Sequence, residues 1–358
     1  MKKWEILGNF RFEILNFKKD LLIKLLLQNR GIKTKKQIEE FLNPKIESLT
    51  PDNLNIDKNE LSKAIKRIKK AIEKKELIII FGDYDCDGVS GTGVLWETLN
   101  DLGAKAMPYI PDRIEEGYGL SKKGIENLKT KYGDVSIIIT VDNGIVANNP
   151  VEFANSLGID VVITDHHVPG KKLPDAFAIV HSTKICGAAV AWFLSQQLAR
   201  GPVSLHPRPT SSRASLVVGA RRGSPALTTP RLSDHLGLAA LATVTDMMQL
   251  TGFNRTLVKL GLEQIRKTKR PGLLSLFKLA EIDQSQIGVY ELGHIIGPRI
   301  NAMGRLEHAM DSLRLLCTTN SARANELAKK LNSTNLERQQ LTRDSFIHAK
   351  ELVGKSKK

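Results

Sequence analysis

The stretch that most constrains this chain is Glu76 to Gly88, ELIIIFGDYDCDG. Its apolar run, Leu77 to Phe81, is continuous and branched, which suits a strand buried on both faces, as in a parallel sheet. Gly82 and Gly88 bound a polar segment in which Asp83, Asp85 and Asp87 recur at every second position. The carboxylates therefore fall at the carboxyl end of the strand, where open α/β sheets bind ligands. In a low-dielectric cleft such neighbours repel by an amount on the order of several kcal/mol unless protons or cations intervene. A hard divalent cation is the simplest remedy. An acidic turn of this kind also occurs as a solvated surface loop, and this stretch alone does not separate the two.

Two more runs do. Ser136 to Val141 leads into Asp142-Asn143-Gly144, and Asp160 to Thr164 leads into Asp165-His166-His167. Each is a short β-branched run with an acidic residue at its end, so in a parallel sheet the three acidic ends converge on one edge. A lone Asp after a strand is an ordinary turn or helix-capping residue. Three coincident ends, one with two adjacent imidazoles, point instead to a metal site.

The segments GDYDCDG, VDNG and TDHH, in this order and spacing, resemble the first three motifs of the DHH phosphoesterase superfamily. Tyr109 to Arg113, Glu116 to Leu120, Cys186-Gly187-Ala188, Thr245 to Met248 and Gly297 to Leu306 narrow the likeness to its RecJ-type exonucleases, from about residue 30 to residue 345. The resemblance implies an α/β fold: a parallel-sheet core with a helical N-terminal lead-in and a C-terminal bridging helix. It also implies a single-stranded-DNA exonuclease working from the 5′ end, with other DNA repair proteins as partners.

A chain of 358 residues has room for two domains and a sizeable core. Its net charge of +15 fits a polyanionic partner, either nucleic acid or an anionic membrane surface. No run of about eighteen apolar residues and no charged-then-apolar leader occurs, so a cytoplasmic protein with no membrane partner is expected. Three widely spaced cysteines, Cys86, Cys186 and Cys317, argue against a disulfide framework or a thiolate zinc site.

In order along the chain, residues 1–75 are expected to be a helical lead-in, with Asn59 capping its last helix. Residues 76–199 form the catalytic α/β domain. Arg113 and Tyr118 are either surface residues or substrate contacts. The Cys186-Gly187-Ala188-Ala189 turn is explained by a tight helix–sheet contact as well as by any function. Residues 200–234, rich in Arg, Pro and Ser, break the lysine-rich style of the chain and are expected to be disordered, as a basic insertion or as sequence read in a foreign frame. Residues 235–320 complete the core: Leu236 to Val244 delivers Asp246, which the resemblance makes a metal ligand. Gly293 to Leu306, with Gly297, Pro298 and Gly304, is expected as an irregular loop at the active site. The resemblance assigns phosphate contacts there to Arg299, Asn301 and Arg305, and Gly304 lets backbone approach the substrate. Residues 321–358 are expected as one long helix and a basic tail. In the family such a helix bridges to a second domain marked by a Gly-Gly-His segment, which this sequence lacks.

The expected chemistry is phosphodiester hydrolysis with two divalent cations, Mn²⁺ or Mg²⁺. Asp83, Asp85, Asp87, Asp142, His166 and Asp246 would hold them, with Asp142 as the bridge. His167 would hydrogen-bond a phosphate oxygen, and Asp165 would orient the histidines. Two rival readings keep the residues and change the role: a phosphodiesterase for short oligonucleotides or small nucleotides, and a non-catalytic nucleic-acid-binding fragment.

Overall fold

The computed structural model describes residues 19–46, 49–199 and 230–355. The chain divides into two compact units, Met1–Ile46 and Glu47–Lys358. In the smaller, α1 (Lys19–Asn29) precedes α2 (Lys35–Leu42), which opens on a capping box. The Thr34 hydroxyl accepts the Gln37 N–H while the Gln37 side chain accepts the Thr34 N–H.

The larger unit begins with α3 (Pro51–Leu54) and α4 (Lys58–Lys74), then β1 (Leu77–Gly82), α5 (Cys86–Asp101), β2 (Lys105–Tyr109), α6 (Lys122–Tyr132), β3 (Ile137–Val141), α7 (Asn148–Ser156), β4 (Asp160–Asp165) and β5 (Ala178–His181). Helices follow: α8 (Gly187–Ala199), α9 (Pro230–Thr245), α10 (Gly252–Ile265), α11 (Pro271–Leu279), α12 (Gly297–Leu306), α13 (Met310–Cys317) and α14 (Ser321–Lys355). The lead-in expected over 1–75 is therefore divided, because α3 and α4 belong to the larger unit. Arg67 of α4 reaches from its buried position to Glu76 at 2.6 Å and to Asp160, tying α4 to the starts of β1 and β4. Asp57, not Asn59, caps α4: its Oδ1 accepts the N–H groups of Asn59 and Glu60. Asn59 already lies in the first turn.

The five strands are all parallel, in the order β2-β1-β3-β4-β5. Chain direction away from β1 reverses between β1 and β3, and such a switch point opens a crevice beyond the carboxyl ends of the two strands. Alternate residues serve the two faces. Leu77, Ile79 and Phe81 of β1 join Ile138, Val161 and Ile163 in a buried cluster with Ile125 and Leu128 of α6 and Val151 and Ala154 of α7. On the opposite face α5 and α8 pack together on the sheet, with α9 behind them. Among the described residues, no helix is long and apolar enough to cross a membrane.

Two expectations change here. Residues 230–234 are the first residues of α9, so the irregular stretch expected over 200–234 does not extend that far; residues 200–229 lie outside the described residues. The loop expected at Gly293 to Leu306 is helical: a π-helical stretch, Glu291–Ile296, runs straight into α12. Pro298 falls at the junction, where the π-helical bonding of the preceding stretch, with the Gly297 N–H on the Leu292 carbonyl, gives way to α-helical bonding. The glycines serve close packing. A Cβ on Gly297 would lie 2.2 Å from Thr245 Cγ2, and one on Gly304 would lie 2.4 Å from the Tyr84 carbonyl oxygen.

Candidate metal centre and substrate cleft

Register brings the acidic ends together. Gly82 pairs with Val141 and Val141 with Thr164, so the next residues, Asp83, Asp142 and Asp165, stand side by side on one edge. The other two aspartates of the first motif are placed by the start of α5. Asp85 is its N-cap, Oδ1 accepting the Asp87 and Gly88 N–H groups at 2.8 and 3.0 Å, and Asp87 lies in the first turn. The expected acidic loop is thus a single strand-to-helix step. Glycine is required within it, since a Cβ on Gly88 would come 2.6 Å from Asp83.

Asp142 has a backbone φ of 65°, the left-handed region that few non-glycine residues occupy. Gly187 makes room for it: a Cβ there would lie 2.6 Å from the Asp142 carboxylate. The same turn begins α8, whose Gly187 and Ala188 N–H groups donate to the two oxygens of Asp87, each at 2.7 Å. The small residues at 186–189 therefore serve both the helix–sheet contact and the site.

His166 stands at the centre. Its Nε2 is 3.1 Å from Asp142 Oδ1, 3.6 Å from Asp87 Oδ2 and 3.8 Å from Asp246 Oδ2. Among the described residues, three groups have donor atoms close enough to share an ion: Asp83, Asp85 and Asp142; Asp87, His166 and Asp246; and Asp142, His166 and His167. The first two of these groups contain the six expected ligands and share none of them; the third joins them, taking Asp142 from one and His166 from the other. Asp165 is fully occupied. Its Oδ2 accepts the Ile145 N–H, and its Oδ1 accepts the His166 and His167 N–H groups and lies 2.8 Å from His167 Nδ1. It orients the His167 ring directly and His166 through its backbone.

Burial and mutual repulsion of the carboxylates outweigh the nearby cations, His167 and Arg113. Burial, and then Asp85, push the Asp83 carboxyl up to about 7. Burial, then Asp85 and Asp246, push Asp87 up to about 7. Asp246 rises to about 6 through burial and Asp85, and Asp142 stands well above the usual carboxylate range through burial and its acidic neighbours. Burial, and then His167, lower His166 to about 4, which leaves a neutral imidazole able to coordinate. Asp165 differs: burial raises its carboxyl, but the hydrogen bonds from His167 and the Ile145 N–H outweigh it and hold it low. Among the described residues, no hydrogen bond reaches the buried Asp83 Oδ1 or Asp142 Oδ1. Buried carboxylate oxygens without donors, beside one neutral imidazole, are the donor set of a hard divalent cation such as Mg²⁺ or Mn²⁺.

A cleft of about 250 Å³ opens over these groups. Asp83, Asp85, Asp142, His167 and Asp246 line its acidic side; Tyr84, Arg113, Tyr118, Asn301 and Arg305 line the rest. The Arg113 guanidinium stands over the Tyr84 ring at 5.0 Å, and Tyr84 and Tyr118 meet edge to face at 6.1 Å. The Tyr118 hydroxyl is 3.3 Å from His167 Nε2. Arg113 and Tyr118, undecided in sequence, thus belong to the cleft.

The four residues expected to contact substrate separate. Arg305 and Asn301 are one helical turn apart on α12 and face the cleft, although the Asn301 amide oxygen is taken by the Cys86 N–H at 2.6 Å. Arg299 does not line the cleft. It donates to the Ile295 carbonyl at 2.7 Å and to Asn332 of α14 at 3.0 Å. On a helix, two residues before Asn301 is roughly 200° around the axis, a separation that a loop would not have imposed. Gly304 acts by admitting Tyr84, as described above. Sequence reasoning assigned no role to Tyr84, placed between two aspartates, or to Asn143, inside the second motif. The Asn143 side chain donates to the Phe81 and Val141 carbonyls and accepts the Leu120 N–H, locking the Tyr118 loop to the sheet edge.

The model of the DHH family, N-terminal domain, matches residues 77–218. The single-stranded-DNA-specific exonuclease RecJ of Bacillus subtilis (strain 168) is 35% identical over 98% of this chain and 42% of its own length. The protein of that name from Escherichia coli (strain K12) is 31% identical over 93% of this chain and 56% of its own. This chain therefore spans about half the length of the curated relatives it matches. Among solved structures, exonuclease RecJ bound to manganese aligns with a TM-score of 0.66 at 32% identity, over 80% of this chain and 68% of that one. RecJ in complex with Mn²⁺ from Thermus thermophilus aligns with a TM-score of 0.69 at 30% identity, over 90% of this chain and 42% of that one. With its sheet order, three acidic strand ends and paired histidines, the chain belongs to the DHH family and, within it, to the RecJ group.

Proposed function

We propose that this chain is the catalytic portion of a metal-dependent exonuclease that hydrolyses single-stranded DNA from the 5′ end and releases mononucleotides. The observation that carries the reading is a pair of ligand groups joined through Asp142 and His166, in a cleft that also holds Arg113 and Arg305. Asp83, Asp85 and Asp142 would hold one cation, and Asp87, His166 and Asp246, with Asp142 between, a second. Bound there, Mn²⁺ or Mg²⁺ would supply Lewis acidity toward a phosphoryl oxygen and make water a stronger nucleophile near neutral pH.

The remaining groups position the substrate. Arg113 and Arg305 pair with non-bridging phosphate oxygens and offset charge that builds there as the bond to phosphorus breaks. The hydrogen bond that His167 donates to Asp165 raises the affinity of the ring for its proton, so that it presents an N–H toward the phosphate. Tyr84 and Tyr118 add aromatic surface for a base or sugar. The net charge of +15 favours a polyanion. The single-stranded-DNA-specific exonucleases among its relatives and the manganese in two similar structures support the substrate and the ions. On this reading the protein works in DNA repair and recombination in the cytoplasm, beside other repair proteins.

The test is Mn²⁺-dependent release of mononucleotides from 5′-labelled single-stranded DNA, run beside dinucleotides, small nucleotides and pyrophosphate. Release from the long strand, lost on adding EDTA, is the expected result. Turnover confined to the small substrates would replace the exonuclease with a small-nucleotide phosphodiesterase.

A further inference from the structure

Among the described residues, the three most exposed large apolar side chains are Ile114 (92%), Met247 (88%) and Val168 (80%). Each directly follows a residue that lines the cleft: Arg113, Asp246 and His167. They come from three separate segments, after β2, at the end of α9 and after β4. Single exposed apolar residues need no explanation, but three that all fall one residue from the same polar cleft form a pattern.

Met247 adds a second observation. Helix α9 ends in a Schellman motif: the Met248 N–H donates to the Thr243 carbonyl and the Met247 N–H to the Val244 carbonyl, each at 3.2 Å. Met247 sits at the position this motif reserves for a left-handed residue, with φ of 57°. Glycine is the unstrained occupant there. The chain instead carries a long side chain that is strained at its backbone and almost wholly in solvent, so the fold gains nothing from it.

We propose that Ile114, Met247 and Val168 form an apolar rim that receives the nucleobases of a single strand whose phosphate occupies the cleft. The inference rests on the reading of the cleft as a phosphodiester site. Its floor is charged and suits the backbone of the strand. The rim side chains are offset from that floor by one residue, about 3.8 Å of backbone, which lies within the span of a nucleotide from phosphate to base. Unpaired bases expose apolar faces that a duplex hides, and a thioether sits favourably against an aromatic ring. The rim thus favours unpaired, base-bearing strands over duplex ends and abasic ends.

The decisive variant is Met247→Gly, which relieves the backbone and should leave the Tm unchanged or higher. With Mn²⁺ and a single-stranded oligothymidylate, its KM is expected to rise about threefold, and that of the triple variant I114S/V168T/M247G about tenfold, with kcat little changed. On a strand of equal length whose first residues at the 5′ end are abasic, neither KM should change. An equal rise on both strands would mean that these side chains act only by placing their cleft neighbours, and no rise on either would mean that they touch nothing; both overturn the rim. A dimer that becomes a monomer in the triple variant would assign the rim to a contact between copies and overturn it as well. If the unmodified protein hydrolyses no strand, the exonuclease reading fails on its own. Fluorescence anisotropy of the labelled strand in EDTA then decides the rim, through weaker binding by the triple variant or its absence.

Discussion

Glu97 and Asp142 are equally hidden from solvent, each 2% exposed, and the fold treats their charges in opposite ways. Glu97 on α5 receives both terminal nitrogens of Arg270, at 2.8 and 2.6 Å, and lies 2.8 Å from His235 Nε2. Burial alone would raise its carboxyl, but Arg270 and then His235 outweigh it and hold it at about 2. Asp142 faces Asp87, Asp85, Asp83 and Asp165 and stays well above the carboxylate range. One buried charge is neutralised by the chain itself, binding α5 and α9 to the start of α11. The other is left for a ligand to neutralise. Position alone would not separate a structural carboxylate from a functional one here; the identity of the partners does.

Removing Asp142 should have the largest effect. Because its φ is positive, Asn is a better probe than Ala, as Asn accepts the left-handed region and removes only the charge. Asp142→Asn is expected to abolish mononucleotide release in Mn²⁺ while raising the Tm measured in EDTA, since one repelling charge is gone. An active variant would remove Asp142 from the site. Next in size, Glu97→Ala should lower stability by about 3–5 kcal/mol in urea unfolding, because it strands the buried Arg270 charge. A neutral result there would erase the contrast between the two clusters.

The pH dependence of the metal-free protein sharpens the same contrast. Asp83 and Asp87 titrate at about 7 and Asp246 at about 6 in the folded chain, against roughly 3.9 for an unperturbed Asp. Between these values the native state keeps protons that the unfolded state has lost, so stability should fall as pH rises from about 4 to about 7. Glu97, held at about 2, has the opposite sign: its contribution is complete above the unfolded value and lost as pH falls toward 2. Thermal melts in EDTA across pH 2 to 8, repeated with Mn²⁺ above pH 4, test this, and a slope between pH 4 and 7 that the ion does not reduce would count against the metal centre. The smallest effect separates two arginines of α12. Arg305→Ala should raise KM for single-stranded DNA about tenfold, the loss of one charge-assisted hydrogen bond. Arg299→Ala should lower the Tm and leave KM within about twofold, having lost only its bonds to Ile295 and Asn332.

Much of the core was legible before any coordinate. Branched runs that end in Asp83, Asp142 and Asp165 announce parallel strands with acids at one edge, because a strand buried on both faces must be apolar throughout while its exit is free to be polar. Less visible was the region between residues 265 and 320. Helix α11 is short and apolar on several sides, so its periodicity is weak, α13 has only eight residues, and Gly297, Pro298 and Gly304 imitate a loop. Glycine marks close approach as readily as a turn. Only the neighbour across the contact, Thr245 or Tyr84, tells which is meant.

The sequence by itself determined the order of strands and acids, the paired histidines and hence the family, since these depend on local pattern and spacing. Tertiary structure decided which side chains meet. It put Asp142 and His166 where two ligand groups meet, turned Arg299 toward α14, drew Arg113 and Tyr118 over the cleft, and gave Glu97 the counter-charges that Asp142 lacks. The physical reason is range. Strand and helix patterns are set by neighbours a few residues away, whereas a buried charge is fixed by partners from distant elements, as Arg270 lies 173 residues from Glu97.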